Sequence, residues 1–403
     1  MSSRRFTFTL ITALAMTVQV PAHAGEIRFT PLTVPNQVQD EGSAINDLGV
    51  AVGIYEDANR LAYGFVSTPP YSDQSFITVA AAGIVHTHLL GITLEGRVTG
   101  NSIDTSGVYH GTASQPPYST VTLFDAPGVC SSSSSGTCLG TTVGSINQEG
   151  VIAGYYSDAN GVTHGYVTHP PYTASTFTTI DAPGACSSGT PCSGLGTQIN
   201  TFSLNDFGSV TGYYFDQDGV AHGFVSYRPY TKTTFTTFDA PDACSADSNP
   251  ACPGEGTYPD SINLLGVITG FYSDASGVNH GFVSYPPYTE STFTTIDAPR
   301  ACSSDSNPNC PGEGTYPLSI NLFGVITGTY TDASGVYHGF VSHPPYTTVT
   351  SFDAPDGCSS DSNPACSGNG TQAFDINVEG MLVGYATDAT GHHHAFVARE
   401  RRP

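Results

Sequence analysis

Beyond residue 25 the chain is a succession of short β-branched and aromatic runs, each closed by glycine, proline, asparagine or aspartate. In the clearest stretch, Val267 to Ser273 and Val278 to Ser284 flank Asp274-Ala275-Ser276-Gly277. Two strand-like runs around such a tetrapeptide predict a β-hairpin with a type I turn and a glycine at positive φ. The same turn recurs at Asp158, Asp216, Asp332 and Asp388. A proline-rich link, Pro286-Pro287-Tyr288, leads to a threonine-rich strand, Phe293 to Ile296, which ends in Asp297-Ala298-Pro299. Ser261-Ile262-Asn263 precedes the hairpin as a shorter, fourth strand.

This unit occurs seven times. Its first glycine stands at Gly49, Gly96, Gly150, Gly208, Gly266, Gly324 and Gly380, a period of 47 to 58 residues. Strand-built repeats of that length form propellers or solenoids. The chain ends choose between them. The seventh unit stops at its hairpin, and Phe29-Thr30-Pro31-Leu32-Thr33-Val34-Pro35 aligns with Phe293 to Pro299. An N-terminal strand that completes the last repeat closes a ring and removes a free edge. The expected fold is therefore an all-β, seven-bladed propeller over residues 25–403, with a β-solenoid as the alternative. With Ser-Ile-Asn as the inner strand, the Asp turns and cysteine loops fall at one end of the ring. The Asn-x-x-Gly turns and Pro-Pro-Tyr links fall at the other.

Residues 1–24 read as a secretory signal: Arg4-Arg5, the apolar stretch Phe6 to Val18, and Ala22-His23-Ala24 before the cut. Without them 9 basic residues face 34 acidic ones, a net charge of -25. Such a surface repels nucleic acid and anionic membranes. No later run is long and apolar enough for a membrane helix. The reading is a secreted or periplasmic monomer. Its ten cysteines form five local pairs, Cys130 with Cys138, Cys186 with Cys192, Cys244 with Cys252, Cys302 with Cys310 and Cys358 with Cys366. In an exported chain these read as loop disulfides rather than zinc ligands.

Histidine precedes Gly-Phe or its variants at His110, His164, His222, His280, His338 and His394. A residue repeated in nearly every blade solves a packing problem common to all of them; a histidine ring facing the channel is the sharper alternative. Phe65, Tyr166, Phe224, Phe282, Phe340 and Phe396 read as core anchors, and Gly270 and Gly281 as points of crowding. The turn aspartates Asp158, Asp216, Asp274, Asp332 and Asp388 cap their own turns or, taken together, offer oxygen ligands to calcium, the only cofactor considered. Tyr71, Tyr118, Tyr172, Tyr288 and Tyr346 pack their links or stack on sugars. No catalytic motif is present, so no catalytic residue is assigned. The irregular positions, Arg60, Tyr63, His86, His88, Arg97 and Asn101, are the places where a singular site would lie.

His394-Ala395-Phe396 and the His-Gly-Phe copies make the unit resemble the HAF-type extracellular repeats of bacteria, from about Ser43 to Val397. That resemblance implies export and repetitive β structure, and transfers no catalytic residue. The first functional expectation is a non-enzymatic propeller that binds or scaffolds a cell-surface, matrix or glycan ligand, with a glycan or surface protein as partner. A polysaccharide hydrolase or lyase with an axial site ranks second, and a calcium-dependent adhesion module third.

Overall fold

The computed structural model of the protein describes residues 26–400 apart from 33, 36, 131–137, 188–191, 193, 245–255, 304–313, 359–365 and 367. The expected signal segment lies outside the described residues. Among them, 28 strands form seven four-stranded antiparallel blades, two pairs of which are each joined by a single parallel bridge into an eight-stranded sheet. Blade 5 shows the plan. Its inner strand Thr257–Ile262 pairs with Ile268–Ser273, which pairs with Asn279–Ser284, which pairs with Phe293–Ile296. A single parallel bridge, Asn279 to Gly314, ties it to the next blade. Equivalent bridges, such as Ala62 to His86 and Tyr337 to Gly370, tie the others.

The ring closes as the repeat predicts. Ile27–Pro31 pairs antiparallel with the last strand, His393–Glu400, from Ile27 opposite Glu400 to Pro31 opposite Phe396. The Phe29 ring lies edge-on to Phe396 at 5.2 Å and tilted against Phe352 at 5.9 Å. Blade 1 also meets blade 7 directly: the Ile45 amide donates to Asp375 Oδ2 at 2.9 Å and the Ala395 amide to Asp40 Oδ1 at 2.7 Å. The fold is a closed propeller, not an open solenoid.

The core lies between neighbouring blades. Phe65, Tyr166, Phe224, Phe282 and Phe340 are completely buried there, each worth roughly 1.5 to 3 kcal/mol relative to exposure. An asparagine girdle clips the blades together at the end of the inner strands. Asn263 Oδ1 accepts the amides of Leu265 and Val267, closing its own turn, and its Nδ2 donates to the Asn321 carbonyl at 3.1 Å. The chain of donors runs Asn147 to Asn205 to Asn263 to Asn321 to Asn377 to Asn46 to the Thr93 carbonyl. Threonine at position 93 interrupts it, and there Gln148 Oε1 accepts the Leu94 amide instead.

In six blades the inner strand carries a β-bulge at the same place, between Pro259 and Ser261 in blade 5. Gly270 is the reason the second strand tolerates it, since a Cβ there would sit 2.1 Å from the Tyr258 carbonyl oxygen. A bulge re-aims one side chain out of the alternation. The bulged residues are Ser43, Leu90, Gly144, Asp260, Leu318 and Phe374, three of them apolar and one a carboxylate. Blade 4 departs further: its inner strand shrinks to Thr197–Gln198, and the path from Thr197 to Asn205 is two residues longer than that from Thr257 to Asn263.

Candidate functional site

The repeated polar residues are built into the fold. Each turn aspartate accepts two amides from its own turn; Asp274 Oδ1 takes those of Ser276 and Val278 at 2.8 and 2.9 Å. Its other oxygen faces His280 Nε2, while His280 Nδ1 meets Asp297 at 3.1 Å. The same Asp-His-Asp clamp holds His110, His164, His222 and His338. In blade 7 His394 faces Asp388. The histidines thus lie on the third strands, and the alternative of a ring around the channel is set aside. Hydrogen bonds donated to the carboxylates of Asp181, Asp239 and Asp297 hold the imidazoles of His164, His222 and His280 above the ordinary histidine range.

Asp158, Asp216, Asp274, Asp332 and Asp388 therefore stand one per blade, each engaged by its turn and its histidine. Among the described residues, no three His, Cys, Asp or Glu side chains converge as a metal centre requires. The adjacent His392, His393 and His394 diverge, to Thr390, Glu41 and Asp388 respectively.

Tyr71, Tyr118, Tyr172, Tyr288 and Tyr346 each turn their backbone into the left-handed region, φ 59 to 64°. Each hydroxyl donates to a glycine carbonyl of the asparagine turn in its own blade, Tyr288 to Gly266 at 2.7 Å. Tyr230 does the same in blade 4. The proline link is thereby pinned to the turn, and Tyr71, Tyr288 and Tyr346 are buried. What this end of the ring exposes is different. The turns that follow the inner strands, four opened by asparagine and one by Thr93, present Leu48, Leu94, Phe207 (72 % exposed), Leu265 (67 %) and Phe323 (65 %), flanked by Tyr227 and Tyr285.

At the other end, disulfides join Cys130 to Cys138, Cys186 to Cys192 and Cys358 to Cys366. Cys244 and Cys302 are also disulfide-bonded, while Cys252 and Cys310 lie outside the described residues. Bonds of this kind suit an oxidising compartment.

On the axis the bulged residues of five blades meet the longer segment of blade 4 around a cavity of about 190 Å³. Its polar wall is Glu41, Ser43, His88, Asn200, Thr201 and Asp260; its apolar wall includes Leu90, Phe202, Leu318 and Phe374. The blade 4 segment enters the channel because blade 3 has Gly144 at its bulge, where a Cβ would lie 2.2 Å from the Asn200 carbonyl oxygen. Ser43 Oγ and His88 Nε2 are 2.7 Å apart. Burial pushes the His88 imidazole down to about 4. Burial also raises Asp260, to about 7, opposed only by the Asn200 Nδ2 hydrogen bond to Oδ1 at 3.1 Å. Asp260 Oδ2 is buried with no partner. Glu41 shifts the other way: burial alone would raise it, but the hydrogen bond to His393 at 2.5 Å, with the charges of His88, His393 and His86, holds it low.

Of the irregular positions singled out from sequence, His88 reaches this cavity, and Asn101 instead accepts the Val143 amide. Glu41, Ser43, Asn200 and Asp260 were missed. A partial signal was present: aligning the repeats sets Ser43, Leu90, Gly144, Asp260, Leu318 and Phe374 in one variable column, two positions before the isoleucine of the repeated Ile-Asn pair.

No protein-family model matches the chain, and neither does any curated protein. Among solved structures it is similar to YCF48 from Cyanidioschyzon merolae, at 8 % identity and TM-score 0.47 over 92 % of this chain and 98 % of that one. It is similar also to the β-propeller domain of the Trilobed protease from Pyrococcus furiosus, at 9 % identity and TM-score 0.46 over 89 % and 95 %. The fucose-specific lectin from Aleuria aurantia is a third, at 12 % identity and TM-score 0.40 over 79 % and 96 %. These are propeller proteins. The ring in this chain is established by its own strand pairing, and the activities in those names stay with those proteins.

Proposed function

We propose that this protein is a secreted, non-enzymatic binding propeller that presents its asparagine-turn face to a cell-surface, matrix or glycan ligand. One observation carries this reading: Leu48, Leu94, Phe207, Leu265 and Phe323 stand exposed on five turns around one end of the ring, and large apolar side chains gathered on a surface mark interaction sites. The tyrosines, histidines and aspartates of the repeat support the fold instead. Phe207 and Phe323, with Tyr227 and Tyr285, offer ring faces of the kind that stack on sugars or enter a protein interface. The resemblance to HAF-type repeats and the loop disulfides agree with export.

A glycan-array and surface-extract binding screen of the mature chain tests this reading, run beside a Phe207→Ser/Phe323→Ser variant. Binding by the parent and at least tenfold loss in the variant is the expected result. Equal binding by both proteins overturns the assignment of the face. A polysaccharide hydrolase is the second reading, favoured by Glu41 and Asp260 shifting in opposite directions within one cavity, the pattern of an acid and a base. Cleavage products from any glycan bound, lost in Asp260→Asn, would replace the first reading with the second.

A further inference from the structure

The axial cavity contains a carboxyl group for which the fold provides no full set of partners. Asp260 is 8 % exposed, its Oδ1 accepts one hydrogen bond from Asn200, and its Oδ2 has none. A buried carboxylate without a counter-charge is costly. Nothing in the repeat demands it, because the same bulge carries serine, leucine, glycine or phenylalanine in other blades. No lysine or arginine lines the cavity, and its one imidazole, on His88, is engaged with Ser43. Glu41 adds a second carboxylate, already bonded to His393.

We propose that the axial cavity binds a small organic cation, a primary alkylammonium group, with Asp260 as its counter-ion. The ammonium donates to the Asp260 carboxylate and supplies the missing charge. Its alkyl chain lies against the apolar wall of Leu90, Phe202, Leu318 and Phe374. The excess of acidic over basic residues draws cations toward the molecule. A neutral alcohol of the same shape fills the space and leaves the carboxylate unmatched. A divalent metal finds too few free carboxylates at this point, since it takes six or more oxygen ligands.

Calorimetric titration of the mature protein at pH 8 with n-butylammonium chloride, 1-butanol and calcium chloride in turn decides the matter. The expected result is saturable binding of butylammonium at least tenfold tighter than 1-butanol, and at least a tenfold loss of that affinity in Asp260→Asn. The Phe207→Ser/Phe323→Ser variant keeps butylammonium binding, which separates this site from the exposed face. Butanol binding as tightly as butylammonium, no butylammonium binding, unchanged affinity in Asp260→Asn, or Asp260-dependent binding of calcium alone each overturns the proposal. Should Asp260→Asn fail to fold, the comparison of butylammonium with butanol on the parent protein decides alone.

Discussion

The rim and the axis of this propeller obey opposite rules. At the rim, one residue type recurs blade after blade, and in each blade it does the same structural work: tyrosine pins the link, aspartate and histidine clamp the outer strands, asparagine ties one turn to the next. At the axis, six blades share a backbone bulge but place five different residue types on it, and blade 4 adds two residues that enter the channel. Repetition therefore marks what the ring needs to close, and departure from repetition marks where a ligand can be recognised. A ring of seven similar blades leaves the axis as the place where unlike residues converge with little cost to the closure.

The largest effect should come from breaking the ring at its seam. A chain lacking residues 26–32 loses the outer strand of blade 7 and the Phe29 contacts with Phe352 and Phe396. Phe29 is half-buried, so the lost strand pairing and the lost ring contacts act together. We expect the truncated chain to aggregate or to melt at least ten degrees lower by circular dichroism.

Next is the girdle. Asn263→Ala leaves two turn amides without a partner and leaves the Asn321 carbonyl with the Gly324 amide alone, and should cost about 2 to 4 kcal/mol, read from denaturant midpoints. Thr93→Asn, which restores the missing residue of the girdle, should cost less than 1 kcal/mol. A similar loss in both variants would show that the girdle does not hold the blades.

pH should separate axis from rim less sharply, and in a definite direction. Asp260 and Asp40 are raised to about 7 and Asp375 to about 6, from an ordinary 3.8, mainly by burial. The clamped histidines His164, His222 and His280 are raised by their carboxylate partners. In each case the folded state holds its proton more tightly than the unfolded one, so the stability linked to it is full below the unfolded value and fades as pH rises through the folded one. Melting temperature should therefore fall from pH 6 to pH 8. His88, held down at about 4 by burial, acts the other way and weakens the fold as pH drops from 6.5 toward 4. Asp260→Asn should flatten the fall, stabilising the protein at pH 8 by on the order of 2 kcal/mol. An unchanged slope in that variant would place the dependence on Asp40, Asp375 and the clamped histidines instead.

The smallest effect on stability belongs to the exposed turns. Phe207→Ser/Phe323→Ser removes two large side chains that contribute little to the core, and its unfolding midpoint should lie within about 0.5 kcal/mol of the parent. Any larger loss would make these rings structural and weaken their claim as a binding face.

Most of the fold was legible in the chain itself. The Asp-x-x-Gly turn, the Phe-Thr-Thr strand and its stray copy at Phe29 are local signals, and a local signal repeated seven times fixes both blade and closure. The core aromatics and the two-ended distribution of loops followed from strand alternation alone. The site was less legible. Tyr71 and its equivalents looked available for stacking because no local rule discloses that each hydroxyl donates to a carbonyl 22 residues earlier. His88 stood out as an irregularity, but its partner Ser43 is 45 residues away, and Asn200 and Asp260 meet from different blades.

By itself, then, the sequence determined the strands, the turns, the number of blades and the seam, because each depends on neighbours within one repeat or on matching one repeat to another. Only the tertiary structure decided which polar groups were already satisfied and which were not. That decision rests on burial and on hydrogen-bond geometry between blades, where the bulge at Asp260, the glycine at Gly144 and the longer path of blade 4 bring distant residues together around a cavity of about 190 Å³.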